Sequence, residues 1–342
     1  MDRYQRQILL PQIGRSGQER LRHASVMLAG VGALGCTVAD QLCRAGVGRL
    51  ILIDRDVVEL SNLHRQNLYT QTDASLATPK AQAAAIACRA ANPDCAVDVV
   101  VADITSDNAL ALVDRHRPDV LIDSTDNVAT RFLLNDLSIA RNLPLVYGGC
   151  VGTEGRVLGI VPGRTPCLRC VFPTPPAPID LPTCDTAGIL GPVAAVVGAM
   201  QAAEVMRLII DGPDLYQPAM VAIDLWTRRF RTIALADARD AECIACGQKR
   251  LDYLTAIAPG AVSLCGRDTV QVRLDPGAVD GFLDAAETKL RRLTPAVSRN
   301  EYLVHCQPDA AISLDVFADG RVLVHGTADC AQARALVARY LG

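Results

Sequence analysis

The chain has 342 residues, of which 50% are apolar and 21% are charged, and its formal net charge is −3. This composition predicts a soluble globular protein with a sizeable core, and it offers neither a basic surface for nucleic acid nor a polybasic segment for a membrane. The first residues lack the apolar segment of a signal peptide, and the 13 cysteines are an odd number. We therefore expect a cytoplasmic protein whose cysteines are free thiols and metal ligands.

The first 150 residues alternate short apolar strands with helical segments. A buried strand at 25–29 leads into a glycine loop and a helix that ends at residue 45, and a second strand follows at 49–53. Further helices are expected at 79–91 and 109–116 and in a segment ending near residue 141, with strands at 96–101, 119–122 and 145–147. This order predicts a Rossmann-like, doubly wound and mostly parallel α/β sheet, with ligands at the carboxyl ends of its strands.

After residue 148 the pattern changes. A hairpin strand at 155–161 precedes a Pro-rich, Cys-containing segment at 162–186, and antiparallel strands are expected at 221–224 and 230–234. Between them, residues 187–210 are apolar and about long enough to span a bilayer. Pro192 near the start and Gln201, Glu204 and Arg207 near the end favour a helix of the core or of a dimer interface instead.

A second unit is expected from about residue 251, which divides the chain into domains 1–250 and 251–342. Predicted strands at 271–274, 302–305, 312–316 and 322–324 accompany helices at 279–293 and 331–340. Asp319-Gly320 is a hairpin turn signal between the last two strands. We expect a small α+β domain of unknown role, in which no residue is typical of a catalytic site.

The loop Gly30-x-Gly32-x-x-Gly35 stands between a strand and a helix, the context of a nucleotide-binding turn. Glycines permit close approach of the backbone to phosphate, and the helix N-terminus offers free N–H groups. Asp54 ends the next strand, where a carboxylate can accept hydrogen bonds from ribose hydroxyls. The alternative is a glycine-rich packing turn.

Polar and cationic residues follow the second strand. Asn62, Arg65 and Lys80 come after Asp56 and would suit a triphosphate that must release pyrophosphate, whereas a nicotinamide enzyme does not need such a cluster. Singly, each could be a surface salt-bridge residue. Together they favour phosphate binding.

Asp126 follows the fourth strand, at the same sheet edge as the glycine loop. A carboxylate at this position can hold Mg²⁺ against the phosphates. The alternative is a cap of the following helix, which Asp123, Ser124 or Asn127 could equally provide.

Two Cys-x-x-Cys pairs, Cys167/Cys170 and Cys243/Cys246, have the spacing with which each pair contributes two ligands to a tetrahedral zinc ion. Four thiolates would leave no open coordination position, so we predict a structural zinc site that joins two distant segments. A redox role of the pairs is the alternative.

These motifs occur together, in order, in one known family. They are Arg3-Tyr4-x-Arg6-Gln7, Gly30-x-Gly32-x-x-Gly35, Asp54-x-Asp56, Ser61-Asn62-Leu63-x-Arg65-Gln66, Pro79-Lys80, Thr125-Asp126-Asn127, Thr183-Cys184 and both Cys-x-x-Cys pairs. On these residues the chain resembles the ThiF/MoeB/HesA adenylyltransferases, the bacterial relatives of ubiquitin-activating enzymes. The match spans residues 3–247, and residues 265–267 and 319–342 resemble the C-terminal extension of longer members.

The resemblance implies that ATP and magnesium adenylate the C-terminal glycine of a small ubiquitin-fold sulfur-carrier protein ending in Gly-Gly, with release of pyrophosphate. It places Asp54 at the ribose, magnesium at Asp126, and Asp56 and Asn127 in the same nucleotide site. The phosphate-binding residues that it implies are Asn62, Arg65, Gln66 and Lys80. Arg6 would act on the neighbouring subunit's phosphates, which implies a homodimer. Without a rhodanese-type signature, sulfur would come from a separate donor protein.

Cys184 lies in a Pro-rich loop just before the apolar helix, where a helix N-terminus lowers the pKa of a thiol. The resemblance implies that this cysteine attacks the acyl-adenylate or links to the carrier. The alternative is a loop cysteine not required for adenylation. Three other functions stay open: adenylation of a peptide or another carboxylate, a nicotinamide oxidoreductase, and a non-catalytic partner subunit. The pathway could be that of thiamine, molybdopterin or another sulfur compound.

Overall fold

The computed structural model describes residues 3–174, 187–256, 261–263, 268–274 and 281–342. It divides into two compact units, Met1–Ile257 (unit 1) and Ala258–Gly342 (unit 2).

Unit 1 is built on an eight-stranded sheet with the order β3-β2-β1-β4-β5-β6-β7-β8. The pairs among the first five strands in this order are parallel, and the pairs from β5 to β8 are antiparallel. The predicted sheet, parallel and then continued by antiparallel strands, is confirmed. The strands are β1 Ser25–Ala29, β2 Arg49–Ile53, β3 Ala96–Val100, β4 Val120–Asp123, β5 Leu145–Val151, β6 Glu154–Ile160, β7 Ala219–Asp224 and β8 Arg229–Ala234.

Helices cover both faces of this sheet, because its central strands are apolar on both sides. Helices α3, α5 and α9 pack in one core cluster, and α6 and α7 pack in the other. The helices are α1 Gln5–Ile8, α2 Gly14–His23, α3 Ala33–Ala45, α4 Gln71–Ser75, α5 Lys80–Ala91, α6 Ala109–His116, α7 Val128–Arg141, α8 Leu168–Val171, α9 Gly191–Asp211 and α10 Asp252–Thr255, with 3₁₀ turns at Leu60–Asn62 and Pro213–Leu215.

Helix α9 is the segment for which a membrane span had to be considered. Among the described residues it is the one helix long and apolar enough to cross a bilayer, yet half of its apolar window is buried inside the protein. It packs against α3, β5 and β6. Its buried Gln201 donates a hydrogen bond from Nε2 to the carbonyl of Asp123 at 2.8 Å. The helix therefore belongs to the core of unit 1, as expected.

Unit 2 is a six-stranded antiparallel sheet with the order β11-β12-β13-β14-β10-β9 and two helices packed on its apolar side. The hairpin predicted at Asp319-Gly320 joins β13 to β14, with Gly320 at a φ of +82°. Strands β9 and β11 were not predicted, because three residues are too few for an alternating pattern. The elements are β9 Ala261–Ser263, β10 Thr269–Arg273, α11 Phe282–Leu293, β11 Val297–Arg299, β12 Leu303–Cys306, β13 Ser313–Phe317, β14 Arg321–His325 and α12 Cys330–Leu341.

Candidate functional site

The glycine loop turns the chain sharply from β1 into α3. Gly30 has a φ of +82°, and a Cβ on Gly35 would lie 2.1 Å from the carbonyl oxygen of Gly30, so a side chain at Gly35 is excluded. Gly32 directly precedes the first residue of α3. A Cβ added to Gly32 would have no described atom within 4 Å, so the space beside its backbone is open. The loop therefore presents open backbone at a helix N-terminus, the arrangement that binds phosphate.

Asp54 holds this loop against the end of β2. Its Oδ2 accepts a hydrogen bond from the amide of Val31 at 2.7 Å, and its Oδ1 accepts one from the amide of Asp56 at 2.8 Å. Burial raises the pKa of Asp54, and the positive charge of Lys80 opposes that rise. Each carboxylate oxygen has a second lone pair, so Asp54 can fix the loop and still accept a ribose hydroxyl.

Lys80 begins α5 and is anchored to Asp56. Its Nζ lies 2.8 Å from Asp56 Oδ2, its amide donates to the Asp56 carbonyl at 2.9 Å, and its side chain is only 4% exposed. Arg55 pairs with Asp103 at 3.0 Å. Burial lowers the pKa of Arg55, but the carboxylates of Asp103, Asp56 and Asp126 outweigh burial and raise it. The charges at the ends of β2 and β4 therefore interact.

The segment between β2 and α5 contains the other predicted phosphate ligands. Asn62 is buried and its Oδ1 accepts a hydrogen bond from the amide of Glu59 at 3.1 Å, which closes the 3₁₀ turn. Arg65 donates one Nη1 hydrogen bond to the carbonyl of Ser61 at 2.9 Å. Gln66 is buried, and its Oε1 has no hydrogen-bond partner among the described residues. Because Oε1 is an acceptor and a buried polar atom without a partner is costly, a bound group that donates a hydrogen bond would stabilise Gln66, while its Nε2 is the atom that can donate to phosphate.

Asp126 lies in the turn between β4 and α7. Of the residues that could cap α7, Asn127 does so, because its Oδ1 accepts a hydrogen bond from the amide of Thr130 at 3.1 Å. Asp126 is exposed and takes no part in this cap. Its carboxylate is thus available at the sheet edge where the sequence predicted a magnesium ligand.

Asp123 was considered from the sequence only as a possible helix cap and Arg131 was not considered, yet both hold this turn. Asp123 is buried, and its Oδ1 accepts hydrogen bonds from the amide and hydroxyl of Thr125 at 3.0 and 2.7 Å. Burial raises the pKa of Asp123 to about 6. Arg131 Nη2 donates to the Thr125 carbonyl at 3.0 Å, and its guanidinium lies 5.4 Å from the centre of the Tyr147 ring. The spacing of Arg131 one helical turn after Asn127 was the available signal.

Arg6 is exposed on α1. Two hydrogen bonds hold helix α1 in place. Asn92 Nδ2 donates to the hydroxyl of Tyr4, just before the helix, at 2.8 Å, and Gln7 Nε2, within the helix, donates to the Ala45 carbonyl at 2.9 Å. In the part of the chain that the structure describes, no hydrogen bond or ion pair joins Arg6 to the glycine loop or to Asp126. Ala45 ends α3, whereas the glycine loop precedes its first residue, so α1 lies at the opposite end of α3 from the loop and Arg6 is apart from the other predicted site residues.

The four cysteines of the two pairs do come together. Their Sγ atoms all lie within 4.8 Å of one another, and the distances are 3.9 Å for Cys167–Cys170, 3.7 Å for Cys167–Cys243 and 3.4 Å for Cys170–Cys246. A zinc ion with bonds of ~2.3 Å to four tetrahedral thiolates requires sulfur–sulfur distances of ~3.8 Å. The donor set and its spacing therefore fit zinc. Cys184 lies outside the described residues.

Comparison with known proteins gives a consistent result. A model of the ThiF family matches residues 4–245. The chain is 38% identical over 341 residues to the sulfur carrier protein ThiS adenylyltransferase of Bacillus subtilis, and the match covers 99% of both chains. It is 39% identical over 255 residues to the sulfur carrier protein adenylyltransferase of Thermus thermophilus, covering 73% of this chain and 92% of that one.

A longer relative matches over part of its length. The adenylyltransferase and sulfurtransferase MOCS3 of Culex quinquefasciatus is 38% identical over 256 residues, which are 73% of this chain and 57% of that protein. The B. subtilis match, in contrast, includes unit 2. The second unit is therefore shared with a relative of the same length.

Solved structures resemble the fold. Escherichia coli MccB with MccA-N7isoASN has a TM-score of 0.62 and 24% identity, covering 72% of this chain and 75% of that one. MccB with ATP has a TM-score of 0.61 at the same identity and coverage. At this identity the likeness establishes the fold alone.

Proposed function

The chain belongs to the ThiF family, and from this membership we propose that it uses ATP to adenylate the C-terminal glycine of a small ubiquitin-fold sulfur-carrier protein, releasing pyrophosphate. The observation that carries the proposal is the 38% identity to a ThiS adenylyltransferase over 99% of both chains. The product would be the activated carrier from which a thiocarboxylate is formed.

The geometry supports the nucleotide part of this proposal. The open glycine loop would receive phosphate, and Asp54 and Asp56 would lie at the ribose side, with Asn127 at the turn after β4. Attack of the carrier carboxylate on the α-phosphate builds negative charge before pyrophosphate leaves. The residues proposed to stabilise this charge are Arg65 and Lys80, with Asn62 and Gln66 as further phosphate contacts. Asp126 would hold magnesium, which neutralises the phosphates when bound.

We propose zinc in the four-cysteine cluster, where it would join the start of α8 to the segment after β8. All four ligands are thiolates, so the ion has no position for a substrate and its role is structural. Cysteines that are not joined in disulfides are typical of a reducing compartment, which supports the cytoplasm as the location.

We further propose a homodimer in which Arg6 of one subunit reaches the phosphates of the other. The support is that Arg6 is exposed on an anchored helix and forms no bond with the site of its own chain in the described residues. A separate protein would donate sulfur. Cys184 would act after adenylation, in the transfer step.

The substrate class can be tested by exchange of labelled pyrophosphate into ATP. We expect exchange with a ThiS-type carrier protein and none with the same carrier lacking its last glycine, because the truncated carboxylate cannot reach the α-phosphate. A free peptide with the same C-terminal residues should support little exchange. Exchange with the peptide but not with the folded carrier would favour a peptide-adenylating enzyme instead.

A further inference from the structure

One row of residues crosses the antiparallel part of the unit 1 sheet. Gly149 of β5 pairs with Arg156 of β6, Arg156 pairs with Ala222 of β7, and Ala222 pairs with Arg231 of β8. Directly paired residues project from the same side of a sheet. The row therefore alternates small side chains with arginines on one face.

Among the described residues, this face is open at the outer part of the row, from Arg156 to Arg231, whereas Gly149 is buried. Successive residues in a strand alternate between faces, so Leu158 and Met220, two positions along from Arg156 and Ala222, lie on the same side and pack in the core cluster that includes α7. Beyond that packing, the described residues leave the outer arginines accessible: the Arg156 side chain is 48% exposed, and Arg231 is exposed. Ile233, on the same side of β8, is 41% exposed.

The row begins beside the turn that holds Asp126. A Cβ on Gly149 would lie 3.5 Å from Nη1 of Arg131, the residue that donates to Thr125 in that turn. We call this line of side chains the arginine row. It contains Arg131, Arg156 and Arg231, with Gly149 and Ala222 between them. It extends from the proposed adenylation site to the edge strand β8.

The next row on the same face holds Glu154, Asp224 and Arg229, so three arginines stand against two carboxylates and the face keeps an excess positive charge. The acid paired with Arg156 is Glu154 at 3.6 Å, and both side chains are about half exposed, so water screens the pair. Within the residues that the structure describes, Arg231 forms no ion pair. Cations aligned on an open surface of an acidic protein attract an anionic partner.

We propose that the outer arginines, Arg156 and Arg231, bind acidic side chains on the carrier protein and thereby select which carriers are adenylated. The inference rests on the proposed function, because the carrier tail must arrive where the row begins. Guanidinium groups pair in a forked geometry with carboxylates, and the small side chain of Ala222 between Arg156 and Arg231 leaves room for an approaching side chain. A pairing of this kind guides encounter and does not take part in phosphoryl chemistry.

The test measures pyrophosphate exchange with a ThiS-type carrier as the varied substrate. Arg231→Glu and Arg156→Glu should each raise the KM for the carrier about tenfold, while kcat and the KM for ATP change less than about twofold. Arg231→Lys should stay close to wild type because the positive charge remains. Raising the ionic strength should raise the wild-type KM more steeply than that of Arg231→Glu.

Thr232→Glu is the matched control, because Thr232 is exposed on the same strand and pairs with Val221, on the opposite face. It should leave the KM for the carrier unchanged. Wild-type exchange with an unchanged KM in both arginine variants would overturn the inference and leave the proposed function intact. Absence of wild-type exchange would instead overturn the proposed function. Binding of duplex DNA that Arg231→Glu abolishes, with the KM for the carrier unchanged, would assign the row to nucleic acid and also overturn the inference.

Discussion

At the scale of single residues, most side chains of the proposed site are bonded to other parts of the protein, whereas one carboxylate is exposed. Asp54 is committed to two backbone amides, and Lys80 is committed to Asp56. Asp126 is exposed beside a turn that Asp123 and Asn127 hold for it. Preorganised groups of this kind stabilise charge without reorganising during the reaction. Asp126 is therefore the residue whose loss should affect chemistry most and folding least.

Replacing Asp126 with alanine should lower carrier-dependent pyrophosphate exchange by at least about 100-fold, because the magnesium ligand is removed. Its exposure predicts a change in the free energy of unfolding within about 0.5 kcal/mol. Asp237→Ala, at an exposed aspartate outside the site, serves as the control and should retain wild-type exchange. Unchanged exchange in the Asp126 variant would remove this residue from the mechanism.

Residues whose role follows from local context could be predicted from the sequence. The glycines and Asp54 stand at fixed places in a strand-loop-helix-strand unit, so their proximity could be predicted. The pairing of Lys80 with Asp56 joins residues 24 positions apart, and the burial that makes Lys80 only 4% exposed depends on how α5 packs. Arg131 was missed, and Asp123 was considered only as a helix cap, for the same reason: their roles depend on contacts to one turn and not on a motif.

At the scale of elements, the four-cysteine cluster joins α8 to the chain after β8. The cluster is reached from segments more than 70 residues apart, since Cys167 and Cys243 differ by 76 positions. Bringing the two pairs together closes a long stretch of chain, and the chain loses conformational entropy when it folds in this way. Bonds from the cysteines to a metal ion would offset that entropy loss. The sequence shows the spacing within each pair. That the two pairs lie side by side depends on the fold and is seen only in the structure.

The purified chain should contain about one zinc ion, bound by sulfur ligands alone. Cys243→Ser should release the metal and lower the Tm by about 5–10 °C, a few kcal/mol for a unit of this size. Metal analysis with X-ray absorption spectroscopy and thermal unfolding measure the two effects. Cys330→Ser, outside the cluster, should keep the zinc. Full zinc retention in the Cys243 variant would refute the assigned ligands.

In unit 2, Asp315 of β13 bridges two histidines. Its Oδ1 lies 2.7 Å from His305 Nδ1 and its Oδ2 lies 2.9 Å from His325 Nε2. The hydrogen bond with Asp315 raises the pKa of His305. Burial acts to raise the pKa of Asp315, but its hydrogen bonds to the two histidines outweigh burial and lower it. The bridge thus links strands β12, β13 and β14, and the pKa shifts of His305 and Asp315 make its strength depend on pH.

The His305–Asp315 pair should stabilise the chain most between about pH 4 and 6.5. The stabilisation that His305 contributes is complete below its usual pKa and is lost as the pH rises through its raised pKa. The stabilisation that Asp315 contributes is complete above its usual pKa and is lost as the pH falls through its lowered pKa. His305→Asn should cost about 1 kcal/mol in this window, a modest amount because His305 is 40% exposed. The difference in Tm between wild type and variant, followed from pH 4 to 9, measures the effect. A difference that grows above pH 8 would contradict it.

At the scale of the whole molecule, the proposed enzyme needs more than one chain. Arg6 is exposed and bonded to no part of its own site in the described residues, whereas Asp126 belongs to the sheet edge. If the partner supplies Arg6, a site is complete only when two chains meet. No local pattern distinguishes Arg6 from any exposed arginine, and its expected role rests on the family resemblance.

Mixing two inactive variants tests this arrangement. Arg6→Ala and Asp126→Ala should each be inactive alone, yet a heterodimer of the two has one site with both residues intact. Random mixing at equal amounts should therefore restore about a quarter of wild-type exchange, since half the dimers are mixed and each has one complete site of two. No recovery after subunit mixing, confirmed by native mass spectrometry, would place Arg6 outside the partner's site.

The central claim is that this chain adenylates a carrier protein, and one assay addresses it directly. Labelled pyrophosphate is incubated with ATP, magnesium and the wild-type chain, with and without a ThiS-type carrier ending in Gly-Gly. The account predicts label in ATP only when the carrier is present. No exchange with any such carrier, together with tight binding of a nicotinamide cofactor, would contradict it.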